Sequence, residues 1–207
     1  MKTIIGIVAA LVLAIGLYLG WRYLRSAEEM ASGAIKEIAS ESISRAGDTW
    51  RVSFTSRFDA PVDKVYEAFS HPERAHEYVP ENVLKSELVR EDGNRKVVDV
   101  IGRLDILPPG FKVQNLRSEY TLNPAEKKIT SRSIDFKLAD INSDYSFQPA
   151  PDGKGTVLRF SQTSKDKAPM LVESLQKGAL RETYATQVRA VNRALGLAPA
   201  EAKRPAE

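Results

Sequence analysis

The sequence predicts an α+β domain, a curved seven-stranded antiparallel sheet wrapped around one long C-terminal helix. Three observations carry this. Six strand-like runs between Val83 and Thr163 are mostly separated by turns too short to hold a helix. One alternating strand and two short helical stretches stand before them, and a single helical stretch from Pro169 to Leu195 follows. With 207 residues, 43% of them hydrophobic and 28% charged, the chain can build one well-buried core and hardly two.

From Thr3 to Trp21 the chain carries no charge. At ~1.5 Å per residue this stretch spans ~29 Å, about the hydrocarbon thickness of a bilayer. Tyr18, Trp21 and Tyr23 gather at its end, where aromatic rings favour the interface, and Arg22 and Arg25 follow within reach of headgroups. The run is longer than the ~7 to 15 apolar residues of a leader peptide, and the small residues at Ser26-Ala27 and Ala31 to Ala34 fall too far downstream to serve as its cleavage site. Residues 1–24 therefore read as a single-pass transmembrane anchor, with the membrane as a partner. Lys2 and the α-amine nearly balance Arg22 and Arg25, so charge does not fix sidedness; a short tail before a long domain leans the expectation to the outer, periplasmic face.

Residues 25–48 space Met30, Ala34, Ile35, Ile38 and Ala39 by threes and fours, which predicts a helical stalk ending at Ala46-Gly47-Asp48. Its stripe is too short to argue for a dimerising coil. The tail 198–207, rich in Ala, Pro and charge, reads as disordered.

The folded domain is expected over 49–197. Trp50, Val52, Phe54, Ser56 and Phe58 alternate with Arg51, Ser53, Thr55 and Arg57, a strand with one buried face. Asp59-Ala60-Pro61 breaks it: Pro61 suits the first turn of a helix, Asp59 its cap, and Val62, Val65, Tyr66 and Phe69 the apolar stripe. Pro72 to Tyr78 reads as a second short helix. The six strands follow at Val83 to Arg90, Arg95 to Leu107, Lys112 to Leu122, Lys128 to Leu138, Ile141 to Gln148 and Thr156 to Thr163. In the long helix Leu180, Tyr184, Val188, Val191 and Leu195 share a face, whereas Leu171 and Leu175 lie on another, with Gly178 between. Either the helix bends near Gly178, or Met170 to Leu175 forms a separate lip.

This order of elements, with Phe58-Asp59-Ala60-Pro61-Val62-Asp63-Lys64-Val65-Tyr66, Phe69 and Asp152-Gly153-Lys154-Gly155-Thr156, resembles the START-like helix-grip (SRPBCC) superfamily. That superfamily contains lipid-transfer domains, polyketide cyclases/dehydrases, ubiquinone-binding proteins and plant ligand-binding allergens. The resemblance covers Thr49 to Leu197 and implies an apolar cavity between sheet and helix. Its motifs are structural and imply no single chemistry.

If the apolar set of each strand faces the helix, the cavity wall includes Val98, Val100, Leu104 and Ile106, then Tyr120, then Arg132, Ile134 and Phe136, then Tyr145, then Phe160 and Gln162. The long helix adds Leu180 and Tyr184. A polar group out of water without a partner costs ~1–3 kcal/mol, so the inward polar side chains must bond to one another, to water or to a ligand. Arg132 would recognise a carboxylate or phosphate head group. The ligand-binding candidates are thus Tyr120, Arg132, Phe136, Tyr145, Phe160, Gln162, Leu180 and Tyr184; no catalytic residue is assigned.

The remaining patterns exclude more than they suggest. Without cysteine there are no disulfides, thiolate metal sites or thiol nucleophiles. His71 and His76, five apart around Pro72, cannot share a helical face as zinc ligands would, and read as surface residues. No nucleophile elbow, phosphate-cradling glycine loop or HExxH occurs, so no metal or cofactor is expected. A net charge of +3 from 30 basic and 27 acidic residues, with no basic block interleaved with aromatics, argues against nucleic acid. The leading expectation is a membrane-anchored binding or transfer protein for a lipid, quinone or other apolar small molecule. An enzyme of the cyclase/dehydrase kind, in which Tyr120, Tyr145 or Arg132 steers an enolisable substrate, and an envelope scaffold with a filled core are the alternatives.

Overall fold

The computed structural model describes residues 33–103, 113–167 and 173–197. The expected anchor over 1–24, wall residues Leu104 and Ile106, the Met170 and Leu171 part of the lip, and the tail over 198–207 lie outside the described residues. Among the described residues no helix is long and apolar enough to cross a membrane.

In chain order the elements are β1 (Ser40–Ala46), β2 (Thr49–Phe58), α1 (Val62–Phe69), a 3-10 turn (Pro72–Arg74), α2 (Ala75–Tyr78), β3 (Val83–Asp92), β4 (Arg95–Arg103), β5 (Val113–Asn123), β6 (Lys128–Asp135), β7 (Ala139–Pro149), β8 (Thr156–Asp166) and α3 (Glu173–Ala194). The strands form one sheet in the order β1-β2-β8-β7-β6-β5-β4-β3, with every pair antiparallel. Short turns join β3 to β4 and β5 through β8 in a meander, the link from β4 to β5 lying outside the described residues, while α1 and α2 occupy the crossover from β2 to the far edge.

The sheet has eight strands rather than the predicted seven. The stalk expected over 25–48 is not helical in its described part: residues 33–39 are irregular, and Ser40–Ala46 form β1, which pairs with β2 from Ser40↔Thr55 to Ala46↔Thr49. Two physical reasons favour the strand. Gly47 has a left-handed φ of +61°, suited to the two-residue turn it makes with Asp48. Ile38 and Ile43 also find the apolar core to pack against, which a free-standing stalk would lack. The preceding residues are stitched to the domain. Buried Arg181 on α3 donates through Nε to Glu41 Oε2 at 2.7 Å and through Nη2 to the Gly33 carbonyl, and the Ser56 hydroxyl donates to the Glu37 carbonyl.

The two sequence motifs meet in space. At Gly155 φ is +91°, and a Cβ there would stand 2.2 Å from the Phe58 carbonyl oxygen, so only glycine lets β8 begin this close to the end of β2. The Thr156 hydroxyl donates to the Ala60 carbonyl at 2.7 Å, and Arg57 pairs with Asp152 at 2.5 Å. Together they fix the corner from which α1 departs. Asp59 is not the helix cap: Pro61 holds that position, with no side-chain capping bond, because its φ of −59° already sets the chain for the first turn.

A continuous run of rings links α1, the sheet and α3. Phe58 meets Phe69 edge-on at 5.9 Å, Phe69 contacts Phe147 at 5.1 Å, and Tyr66 meets Phe147 edge-on at 5.7 Å. Tyr145, Phe160, Tyr184 and Phe54 continue it, with centroids 4.7–5.0 Å apart from one ring to the next. These rings form most of the apolar core, and they close the end of the sheet where α1 sits.

Candidate functional site

Beyond the rings, sheet and α3 separate to enclose a cavity of about 330 Å³. It is bounded by the concave face of the sheet, by α3 and by the segment from the end of α1 through α2, with Phe69, His71 and Tyr78, and it reaches the end of the sheet that carries Trp50, Ala139 and Asp166. Seen in register, the concave face is banded. One cross-strand row reads Leu122, Ile129, Tyr145, Phe160 and Phe54, almost wholly apolar. The next reads Lys96, Tyr120, Ser131, Ser143, Gln162 and Val52, a nearly unbroken polar band.

Of the sequence candidates, Tyr120, Phe136, Tyr145, Phe160, Gln162, Leu180 and Tyr184 all line this cavity. Arg132 does not. Its side chain is 64% exposed on the convex face and pairs with its cross-strand neighbour Glu119 at 2.9 Å. Ile134, half exposed, faces out with it. The cause is a one-residue error of register: Ile129, Ser131 and Ser133 are the inward members of β6, which stops at Asp135, and Phe136 reaches the cavity only because the strand has ended. Glu119 directly opposite Arg132 was the signal for an outward ion pair.

The lining tyrosines differ in their bonding. Tyr145 donates to Gln187 Oε1 on α3 at 2.9 Å, and Tyr184 donates to Ser56 Oγ at 2.7 Å. Among the described residues the Tyr120 hydroxyl has no hydrogen-bond partner. Burial, reinforced by the negative charge of Glu73, pushes its ionisation up to about 12. Burial raises Tyr145 and Tyr184 further still, only partly offset by their hydrogen bonds. All three phenols stay neutral at physiological pH, and serve as hydrogen-bond donors rather than bases.

Sequence reasoning missed two groups. Lys96, its side chain only 5% exposed, points inward from β4. Its ammonium donates to the Ser70 carbonyl at 3.0 Å and to Glu73 Oε1 at 3.2 Å, while His71, which lines the cavity instead of standing free on the surface, bridges Glu67 and Glu73. Burial pushes Glu73 upward, but hydrogen bonds from His71, its own backbone amide and Lys96 outweigh it and hold the carboxyl below the ordinary range. The second group is Asp166, which accepts from Trp50 Nε1 at 3.3 Å and Gln176 Nε2 at 3.2 Å, and pairs with Arg45 at 3.4 Å. Lys96 was legible from its place in the inward set of β4 with Val98 and Val100; the Asp166 cluster joins residues up to 121 positions apart and had no local signal.

Residues 49–196 match the family model described as polyketide cyclase / dehydrase and lipid transport. None of the curated proteins matches the chain. Among solved structures it is similar to the Zhui aromatase/cyclase from Streptomyces sp. R1128, with a TM-score of 0.56 and 18% identity over 70% of this chain and 96% of that one. A START superfamily protein from Mycobacterium smegmatis gives a TM-score of 0.57 at 14% identity, over 72% of this chain and 99% of that one. The major latex-like protein 151 from Panax ginseng gives 0.53 at 13% identity, over 70% and 99%. Likeness at these identities establishes the shared fold.

Proposed function

The chain belongs to the polyketide cyclase/dehydrase and lipid transport family, and we propose that it holds or transfers a small apolar molecule in its cavity while anchored in a membrane. The cavity itself is the observation that carries this reading. Its volume of about 330 Å³ falls at the small end of the ~300–1,000 Å³ usual for small-molecule sites. Displacing water from walls this largely apolar favours an apolar occupant. Such walls are stable when an apolar occupant fills them, which argues against a filled-core scaffold. The volume gives room for at least one ring system or one short chain. Among the described residues the lining phenols are neutral and the nearby His71 and Asp166 are already paired, which favours holding over converting. The uncharged stretch from Thr3 to Trp21 supports the anchor, which would keep the cavity near its poorly soluble ligand, with the domain on the outer face.

Native mass spectrometry of the full chain, gently extracted from its own membrane, tests the proposal. A co-purifying apolar molecule of ring or short-chain size is expected. Ala179→Phe, which narrows the cavity from α3, should remove it while the melting temperature holds. A wild-type chain that carries no such molecule and takes up no added naphthalene would overturn the reading.

A further inference from the structure

Among the described residues, two donors on the polar row have no hydrogen-bond partner. Gln162 accepts from the Ser143 hydroxyl through Oε1 at 3.4 Å, which turns its amide NH2 away from that bond; among the described residues the NH2 has no hydrogen bond. The Tyr120 hydroxyl has none either, although Tyr145 and Tyr184 both satisfy theirs. Both residues line the cavity, and in the cross-strand row Ser131 and Ser143 stand between them. On one side of this band lies the apolar row through Ile129 and Phe160. Placed in that setting, a pure hydrocarbon would cover the donors and strand them, whereas a molecule carrying an acceptor oxygen would satisfy them.

The charges around the row select among acceptors. Lys96, the cation at its end, is already held by Ser70 and Glu73, and Arg103 on the wall has its own partner. The negative charge of Glu73 reaches Tyr120, and the carboxylate of Asp166, itself paired with Arg45, stands on the wall. An anionic head group would therefore find its cations engaged and carboxylates close by, and a neutral oxygen meets no such penalty.

Building on the carrier reading above, we infer that the ligand is an uncharged, ring-sized apolar molecule bearing a carbonyl or ether oxygen, and that the Tyr120 hydroxyl donates a hydrogen bond to that oxygen. Tyr120 is in this sense the specificity-determining residue of the cavity. The hydroxyl remains protonated throughout the physiological range, so the donor is always available.

The test uses the full chain in phosphatidylcholine nanodiscs with two probes of matched shape, acetylnaphthalene and isopropylnaphthalene. Acetylnaphthalene is expected to bind about tenfold more tightly after correction for partition into empty nanodiscs, the size of one well-made hydrogen bond to a neutral acceptor. Infrared difference spectra with a carbon-13 carbonyl label should show the bound stretch shifted to lower frequency. Tyr120→Phe, which keeps the ring, should abolish that shift and bring the two affinities together without weakening isopropylnaphthalene. Equal wild-type affinities, or a carbonyl stretch that Tyr120→Phe leaves unmoved, would overturn this inference and leave the carrier reading standing. Failure of both probes to bind the wild type would overturn the two together.

Discussion

Lys96 is buried where hydropathy would put it outside, and Arg132 is exposed although its alternation with Ile134 and Phe136 pointed it inward. A lysine beside Val97 and Val98 is inside, and an arginine beside Ile134 is outside, because strand parity outranks residue type. The outward arginine is a cross-strand surface pair, and such pairs contribute little. Arg132→Ala should change stability by less than ~0.5 kcal/mol in urea titration and leave the bound ligand untouched. The inward lysine is different, since removing its counterion leaves a buried charge. Glu73→Gln should cost about 2 kcal/mol by the same measurement. Its pH behaviour has a definite sign. The Glu73 carboxyl is depressed in the folded state, so its contribution is present above the unfolded carboxylate value, near pH ~4.3, and is lost as pH falls through the lower folded value. Wild-type stability should therefore fall over that acid window, and the Gln variant should show a shallower decline. Gly155→Ala meets the Phe58 carbonyl head-on in a left-handed conformation, and a loss of ~3 kcal/mol is expected.

At the level of elements, legibility followed turn chemistry. Gly93 and Gly153, both at positive φ, sit in the turns that separate β3 from β4 and β7 from β8, and those strands begin within two residues of the places the sequence marked. β1 was read as the end of a helix because Met30, Ala34, Ile35, Ile38 and Ala39, all before it, stand three and four apart, and that spacing was carried on through residues 40–46, where only Ile43 is a large apolar residue. Only the docking of Ile43 on the core and the bonds from Arg181 reveal the strand. Ile43→Asp should detach it at a cost of ~1–2 kcal/mol. Amide exchange would show this as fast exchange confined to residues 40–46 and the β2 amides facing them. Unaltered protection there would mean that β1 owes nothing to Ile43. The candidate site was legible wherever a strand ran unbroken, as through Tyr120, Tyr145 and Phe160. It failed in β6, where the strand stops a residue before Phe136 and the alternation no longer counts.

On the scale of the molecule, the two ends of the sheet are built differently. Around α1 the rings of Phe58, Phe69, Phe147 and Tyr66 interlock, and beyond Tyr145 and Phe160 the space between sheet and helix is hollow. The fold class was visible in the order of elements, but this division was not, because it depends on which rings from distant strands meet. Such a body behaves like a cup with a solid base. Its contents can come and go while the base holds the walls in place, so a bound probe should be released much faster than the chain unravels. The release of acetylnaphthalene and the slowest-exchanging amides of Phe54 and Phe160 are two clocks on which to compare them. Exchange of whatever fills the hollow end would then ask nothing of the base, and the two rates would part by orders of magnitude.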